Sequence, residues 1–363
     1  MDKDNLGFLD FFNEVPDHRI DRQKRHPVAE ILLVTFCGTI AGCDSWEDLE
    51  LFGKTKLDYL KRYLNFEYGA PSDDTLRRFF RALDPESFES CFMKWIESLQ
   101  LDLAGKVVAI DGKTSRCSFD KNSRPMHMVS AFVSELGLSL GQVKTAEKSN
   151  EITAIPELLE LLDIAGAIVT IDAMGCQSKI TDKIIDKEAD YLISLKGNQG
   201  TLNDDVRLAF EQKTKSISYS SFEDVDKGHG RIETRCCTVT NDIDWLKERH
   251  PQWKNLNSIV EIESHRDIGG EVSTEKRYYI SSLTTTPEVL LQTTRQHWGI
   301  ENNLHWVLDV CFNEDKSRIR KENAPRNMGI IKKTVLNLFQ SVKRANPRMS
   351  LKRIRKLAGW DSE

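Results

Sequence analysis

The sequence predicts an α/β protein: a mixed sheet flanked by helices, with a helical N-terminal domain and a β-rich insertion before its last helical part. Three observations carry that reading. Residues 1–100 show helical apolar spacing almost throughout. From Lys106 the pattern turns to short apolar runs alternating with helical stretches. From about 215 to 284 it turns again, to alternating and β-branched residues broken by Gly228, Gly230, Gly269 and Gly270. The expected organisation is a helical domain at 1–100, a core in two parts at 101–214 and 285–348, the β-rich insertion at 215–284, and a basic tail at 349–363.

With 363 residues, 39% of them hydrophobic, the chain can bury a large core. No apolar run approaches the ~18 residues that span a bilayer, so no membrane partner is expected. Met1 to Asn13 is acidic and mixed, unlike a secretory signal. Eight scattered cysteines form no CxxC pair, which argues against a zinc ribbon or a disulfide framework and for a reduced, cytoplasmic protein.

In chain order, Pro27 to Cys43 is apolar nearly all round and reads as a buried helix. Ser45, with Asp48 three residues later, opens a second helix to Tyr63. Ser72 caps a third, Asp73 to Arg81, with acids first and Arg77, Arg78 and Arg81 later, as the helix dipole favours. Those arginines suit either a DNA-binding helical unit or an ordinary amphipathic helix. Pro85 opens a fourth, to about Gln100. Strands follow at Val107–Ile110, Met126–Val133, Leu138–Val143, Ala167–Ile171 and Tyr191–Leu195. Helices separate them at Glu151–Leu162 and Cys176–Lys187, and Thr201–Phe210 closes the first part. The β-rich segment holds strands at Ser216–Phe222, Arg231–Thr240, Ser258–His265 and Lys276–Ser282. Thr293–Asp309 is a helix whose Ile300, Leu304, Val307 and Leu308 share one face, and Asn323–Ala345 is the final long helix.

Two strands run into an acid, at Asp111 and Asp172. Ligands collect beyond such strand ends. Gly112 leaves room for a close approach to a ligand. If the strands are neighbours the two carboxylates converge and repel, and a pair of Mg²⁺ ions removes the conflict. Two such ions activate a water and stabilise the leaving oxygen of a phosphodiester. Glu301, between His297 and His305, is placed to supply a third carboxylate. A lone Asp-Gly is usually a turn, and the His297–Glu301–His305 spacing suggests zinc only faintly, since the adjacent Glu of HExxH is missing.

The net charge of −5 hides an asymmetry. Residues 316–356 hold 14 Lys and Arg against one acid, Glu322, and residues 1–315 carry −16. Such a segment predicts a polyanionic partner, met by Arg318, Arg320 and Lys321 among others.

Several motifs together resemble the H-repeat-associated family of bacterial insertion-sequence DDE transposases. They are Ala109-Ile110-Asp111-Gly112-Lys113-Thr114, Lys148-Ser149-Asn150-Glu151-Ile152, Ile171-Asp172-Ala173-Met174-Gly175-Cys176-Gln177 and Leu195-Lys196-Gly197-Asn198-Gln199. Further along come His229-Gly230-Arg231-Ile232-Glu233, Tyr279-Ile280-Ser281-Ser282, and His297-Trp298 through Leu308-Asp309-Val310. The resemblance runs from about Pro16 to Trp360. It implies an RNase H-like core, with Asp111, Asp172 and Glu301 as the catalytic and metal-holding acids. It also implies two Mg²⁺ ions (or Mn²⁺), double-stranded DNA as partner at element ends and target, a homo-oligomer on that DNA, and a bacterial, nucleoid-associated location when bound. Within or beside these motifs the DNA-contact candidates are Lys113, Lys196, Asn198, Gln199, His229, Arg231, Arg295, His297, Trp298 and Asn302. Related hairpin-forming enzymes carry Tyr, Arg and Lys around the Glu, where this chain has Thr294, His297 and Leu308.

Overall fold

The structure is a computed structural model that describes residues 7–12, 14–19, 24–116, 118, 125–145, 151–213, 216–228 and 230–360. His229 and the Lys148-Ser149-Asn150 part of its motif lie outside the described residues.

Six helices come first: α1 (Gly7–Asp10), α2 (Val28–Ala41), α3 (Trp46–Thr55), α4 (Leu57–Leu60), α5 (Asp73–Ala82) and α6 (Pro85–Ser98). Apolar nearly all round, α2 is buried. The capping box forms as the sequence suggests, Ser45 and Asp48 each accepting from the other's backbone N–H. The arginines of α5 meet carboxylates within the chain: Arg77 with Glu47 and Asp73, Arg78 with Asp74, and Arg81 with Glu322.

The sheet strands are β1 (Val107–Ser115), β2 (Met126–Val133), β3 (Leu138–Lys144), β4 (Ile168–Ile171), β5 (Asp190–Leu195), β6 (Ser220–Gly228), β7 (Arg231–Thr240), β8 (Ser258–Ile268) and β9 (Glu271–Ser281). Helices α7 (Glu151–Leu161), α8 (Ser178–Asp186), α9 (Gly200–Gln212) and α10 (Asp244–Arg249) fall between them. The chain ends with α11 (Pro287–His297), a π-helical turn at Ile300–His305, α12 (Trp306–Cys311), α13 (Ala324–Ala345) and α14 (Leu351–Trp360). The tail expected over 349–363 is thus helical for most of its length.

All nine strands form one sheet, ordered β3-β2-β1-β4-β5-β9-β8-β7-β6. The pairs β1–β4 and β4–β5 are parallel and the rest antiparallel. This is the mixed sheet flanked by helices that the sequence predicts. The β-rich segment makes no sheet of its own. Its strand β9 pairs with β5, so β6–β9 prolong the core sheet. The inner halves of β7, β8 and β9 are buried and their outer halves project, while the edge strand β6 buries none of its residues.

Residue alternation on β4 separates two cores. Val169 and Ile171 join the larger one, shared with α7, α8 and the N-terminal helices. Ile168 joins a smaller one with Leu192, Val239, Val260, Ile262, Leu290 and Leu291, under α11. Helix α13 packs on α2, α6 and β3, tying the N-terminal helices to the sheet. Among the described residues no single helix is long and apolar enough to cross a membrane, and the seven described cysteines are free thiols.

Candidate active site

The register of β1 and β4 places the first two acids. The last pair of this parallel ladder is Ile110↔Ile171, so Asp111 and Asp172 are each the next residue, side by side where the ladder parts. Asp111 does not end its strand as the sequence suggests. It lies opposite Ser130, and β1 continues along β2 to Ser115. Asp172 does end β4. Its carboxylate accepts the N–H groups of Met174 (3.0 Å) and Gly175 (3.3 Å), capping a short 3₁₀ turn. Asn198 and Gln199 brace that turn, donating to the carbonyls of Ala173 and Cys176, both at 2.7 Å.

Crowding and burial both act on Asp111. Burial pushes its carboxyl up to about 7; the Gly112 N–H opposes this, while Glu151, Asp172 and Glu301 add repulsion. Asp172 is raised by burial and by Glu151, against the Gly175 and Met174 N–H groups and Lys196. His305 Nδ1 lies 3.6 Å from Asp111. Burial lowers this imidazole to about 3, with help from the positive charge of Lys333 and Lys113. His297 is lowered to about 4, again by burial, and its Nδ1 is 3.0 Å from the Thr170 hydroxyl.

Glu301 sits on the π-helical turn that follows α11. Ile300, Leu304, Val307 and Leu308 are buried, as their spacing suggests. The stretch is not one regular helix, however, and the Trp306 N–H reaches back five residues to the Glu301 carbonyl. Ser134 donates to the Gln296 carbonyl at 2.6 Å. A Cβ on Gly299 would stand 2.6 Å from that same hydroxyl, so any larger residue must displace Ser134. Turns of this kind often occur at functional sites. The Glu301 side chain is exposed rather than pressed on the apolar stripe.

Asp111, Asp172 and Glu301 line one cavity of about 170 Å³, together with Lys196, Arg277, His297 and Trp298. As placed, no three His, Cys, Asp or Glu groups among the described residues could hold a single ion. The donor set nevertheless suits a divalent cation. Burial first, and then three neighbouring carboxylates, raise Asp111, and a cation among them would offset both by favouring the ionised form.

A trough of about 720 Å³ opens from this cavity, sharing Arg277, Tyr279, Thr294, Trp298 and Glu301 with it. Period-two alternation builds it: Arg231, Glu233 and Arg235 on β7, Ser264 and Arg266 on β8, and Glu275, Arg277 and Tyr279 on β9 share a face. Glu233 gathers Arg235 (2.7 Å), Arg266 (3.2 Å) and Arg231 (3.5 Å). Arg277 pairs with Glu275 at 2.9 Å and lies over the Trp298 ring at 5.1 Å. Across the trough Arg295 bridges Asp224 and Asp226, and Asn302 completes the wall.

Other sequence candidates fall elsewhere. Lys113 sits among Asp309 (2.8 Å), Glu314 (3.0 Å) and Asp315 (3.3 Å), with its side chain only 12% exposed. Burial opposes its charge, but Glu314 and Asp309 outweigh burial and hold the ammonium above its usual range. Arg318, Arg320 and Lys321 lie between the Glu314–Lys316 turn and α13, outside cavity and trough. Residues missed in the sequence include Arg235, Arg266 and Arg277, which strand alternation could have grouped with Arg231. Glu151 and His127 were missed too.

Residues 103–338 match the family described as "Transposase DDE domain", and residues 9–96 match one described as "DDE_Tnp_1-associated". The chain is 45% identical to the "Putative transposase YncI" of Escherichia coli O157:H7, over 93% of this chain and 88% of the relative. It is 42% identical to the "H repeat-associated putative transposase YhhI" of Escherichia coli K12, over 92% and 90%. A piggyBac transposase in a synaptic complex with hairpin DNA, solved by cryo-electron microscopy, superposes with a TM-score of 0.45 at 12% identity, over 94% of this chain and 73% of that one.

Proposed function

The chain belongs to the DDE-domain transposases, in their H-repeat-associated branch, and from that premise we propose that it cleaves DNA at the ends of an insertion sequence and joins them to a target, using divalent metal. One observation carries the reading. Asp111 and Asp172 each follow the last pair of the β1–β4 ladder and share a cavity with Glu301, and that cavity opens into a trough bearing five arginines.

Those residues divide the work. The three carboxylates are the metal-holding acids, and bound Mg²⁺, or Mn²⁺ in its place, supplies water activation and charge stabilisation at the leaving oxygen. Arg231, Arg235, Arg266, Arg277 and Arg295 take the phosphates of double-stranded DNA. The side chains of Arg231, Arg266 and Arg295 are 43%, 47% and 45% exposed. Arg295 pairs with Asp224 and Asp226, themselves 35% and 50% exposed; ion pairs so open to solvent are worth about 0–1 kcal/mol, so a phosphate can replace those carboxylates at little cost, while Arg231 and Arg266 keep the buried Glu233 and offer their exposed N–H groups to phosphate. Trp298, beneath Arg277, offers a flat apolar face at the cavity mouth. Lys196, beside Asp172, and His297 border the scissile position. Asn198 and Gln199 act indirectly, by holding the turn that aims Asp172. The chain acts as a homo-oligomer on paired ends.

Incubating the protein and Mg²⁺ with DNA bearing the repeats that flank its gene tests this. Nicked product is expected from wild type and not from Asp111→Asn, Asp172→Asn or Glu301→Gln, and a pre-cut end should yield joined product. Cleavage without joining would leave a nuclease, and binding without cleavage a DNA-binding protein.

A further inference from the structure

We propose that Glu151 is a fourth carboxylate of the Asp111 site, set in place by Thr114 and His127 and admitted by the missing side chain of Gly112. The inference rests on the metal-dependent reading above.

Glu151 opens α7, which packs on β2 and β3, and its carboxylate reaches Gly112 on β1. The gap at Gly112 is filled by side chains of the protein itself. A Cβ there would stand 2.0 Å from Glu151 Oε1 and 2.5 Å from His127 Nε2. Glycine therefore lets Glu151 and His127 close over the strand one residue from Asp111. The His127 ring is held at both nitrogens: Nε2 is 2.8 Å from Glu151 Oε1, and Nδ1 is 2.7 Å from the Thr114 hydroxyl. Thr114 and His127 are register partners on β1 and β2, so the sheet itself fixes this arm. With its proton on Nε2 the ring donates to the carboxylate and accepts from Thr114. A carboxylate held in orientation by a hydrogen-bonded neighbour is the usual construction at metal sites.

A purely structural role fits less well. The Glu151 side chain is 13% exposed. Among the described residues no Lys or Arg is paired with it; its ion-pair partner is His127. A shielded acid next to Asp111 and close to Asp172 adds to the repulsion instead of relieving it. Such an arrangement is costly unless a cation completes it. Glu301, on the π-helical turn, is exposed, so of the two Glu151 is the acid held in place. His127 is then a positioning residue.

The test is Mn²⁺ binding to the full chain without DNA, followed by electron paramagnetic resonance. Thermal melting and circular dichroism check the fold of each variant. Glu151→Gln should weaken Mn²⁺ binding about tenfold or more, the scale of a lost ligand or its support. His127→Gln should weaken it less, because the carboxylate stays but loses its anchor. Glu160→Gln, on the same helix and paired with Lys183, should leave binding unchanged. If Glu151→Gln disturbs the fold, Glu151→Asp, which keeps the charge and shortens the reach, should still show weakened binding. Wild-type affinity in a folded Glu151→Gln protein, with affinity lost in Asp111→Asn, would overturn the role of Glu151 and leave the site standing. Unchanged affinity in Asp111→Asn as well would overturn both.

Discussion

Replacing Asp111 with Asn should stabilise the metal-free protein while abolishing DNA cleavage. Burial and three neighbouring carboxylates raise the Asp111 carboxyl from 3.8 to about 7. Each factor of ten in proton affinity is worth about 1.36 kcal/mol, so the ionised side chain costs the fold on the order of 4 kcal/mol as an upper limit. The sign follows from linkage. Below about pH 4 the carboxyl is protonated in both folded and unfolded chains and costs nothing. As pH rises, the unfolded chain ionises first, and wild type loses stability until the folded carboxyl has also ionised, above about pH 7. Asn carries no such penalty. An unfolding entropy of about 2.1 cal/mol/K per residue over 363 residues converts the limit to roughly 5 °C. Scanning calorimetry in chelator at about pH 4 and about pH 8 should show equal melting at the first and a higher-melting variant at the second. Added Mg²⁺ should raise wild type alone and narrow or reverse the gap. A variant that melts lower than wild type at about pH 8 would make Asp111 a structural partner, and retained cleavage would move the chemistry elsewhere.

Other consequences can be measured alongside. Changing Arg235, Arg266 and Arg277 together to Gln should weaken binding to all DNA sequences alike and flatten the log–log salt dependence by about 0.9 per lost phosphate contact; an unchanged slope would remove the trough from the DNA path. Changing Arg318, Arg320 and Lys321 to Gln should also flatten the slope, but less, since these residues lie outside the trough; a larger effect than the trough variant's would place the DNA along that segment instead. Gly299→Ala should lower stability by roughly 1–3 kcal/mol, the cost of overpacking, because its Cβ would meet Ser134 at 2.6 Å, and should reduce cleavage by shifting Glu301; wild-type melting would show that the π-helical turn accommodates a methyl group. Asn198→Ala should slow cleavage without changing the salt slope, since it releases the turn behind Asp172; a flattened slope would make it a phosphate contact.

The central strands were legible because burial on both faces leaves an almost unbroken apolar run, and Val107–Ile110 and Ile168–Ile171 are buried throughout. Helix starts were legible where a side chain caps them, as at Ser45 and Ser72. What local pattern cannot carry is pairing. Nothing in the run after Asp111 shows that β1 goes on to Ser115, because that continuation depends on β2. Nor does a β-rich stretch show whether its strands form their own sheet or join β5. The trough arginines were hidden for the same reason. Arg231 and Arg277 are 46 positions apart in sequence and reach one face only through the β7–β8–β9 register.

The basic segment shows why a charge count misplaces a field. Among its 14 cations, Lys332, Lys333 and Arg355 are buried. Lys333 donates to Ser130 at 2.8 Å and to Gln142, whose amide donates to Glu89 at 3.0 Å. This chain of contacts ties α13 and α6 to β2 and β3. Burial lowers Lys333 to about 8, against the pull of Glu314 and Glu89, and raises Glu89 to about 7 against Lys333. Arg355 donates to the carbonyls of Thr39 and Cys311, pairs with Asp44 at 3.0 Å and lies 4.7 Å over the Phe312 ring. These cations close the interior, and none of their charge is available to a phosphate. The trough sets five arginines beside the acids, and the side chains of Arg231, Arg266 and Arg295 stay more than two-fifths exposed although Glu233, which gathers Arg231, Arg235 and Arg266, is itself buried. Position relative to the cavity and readiness to change partner, more than the local excess of Lys and Arg, decide which cations can meet DNA.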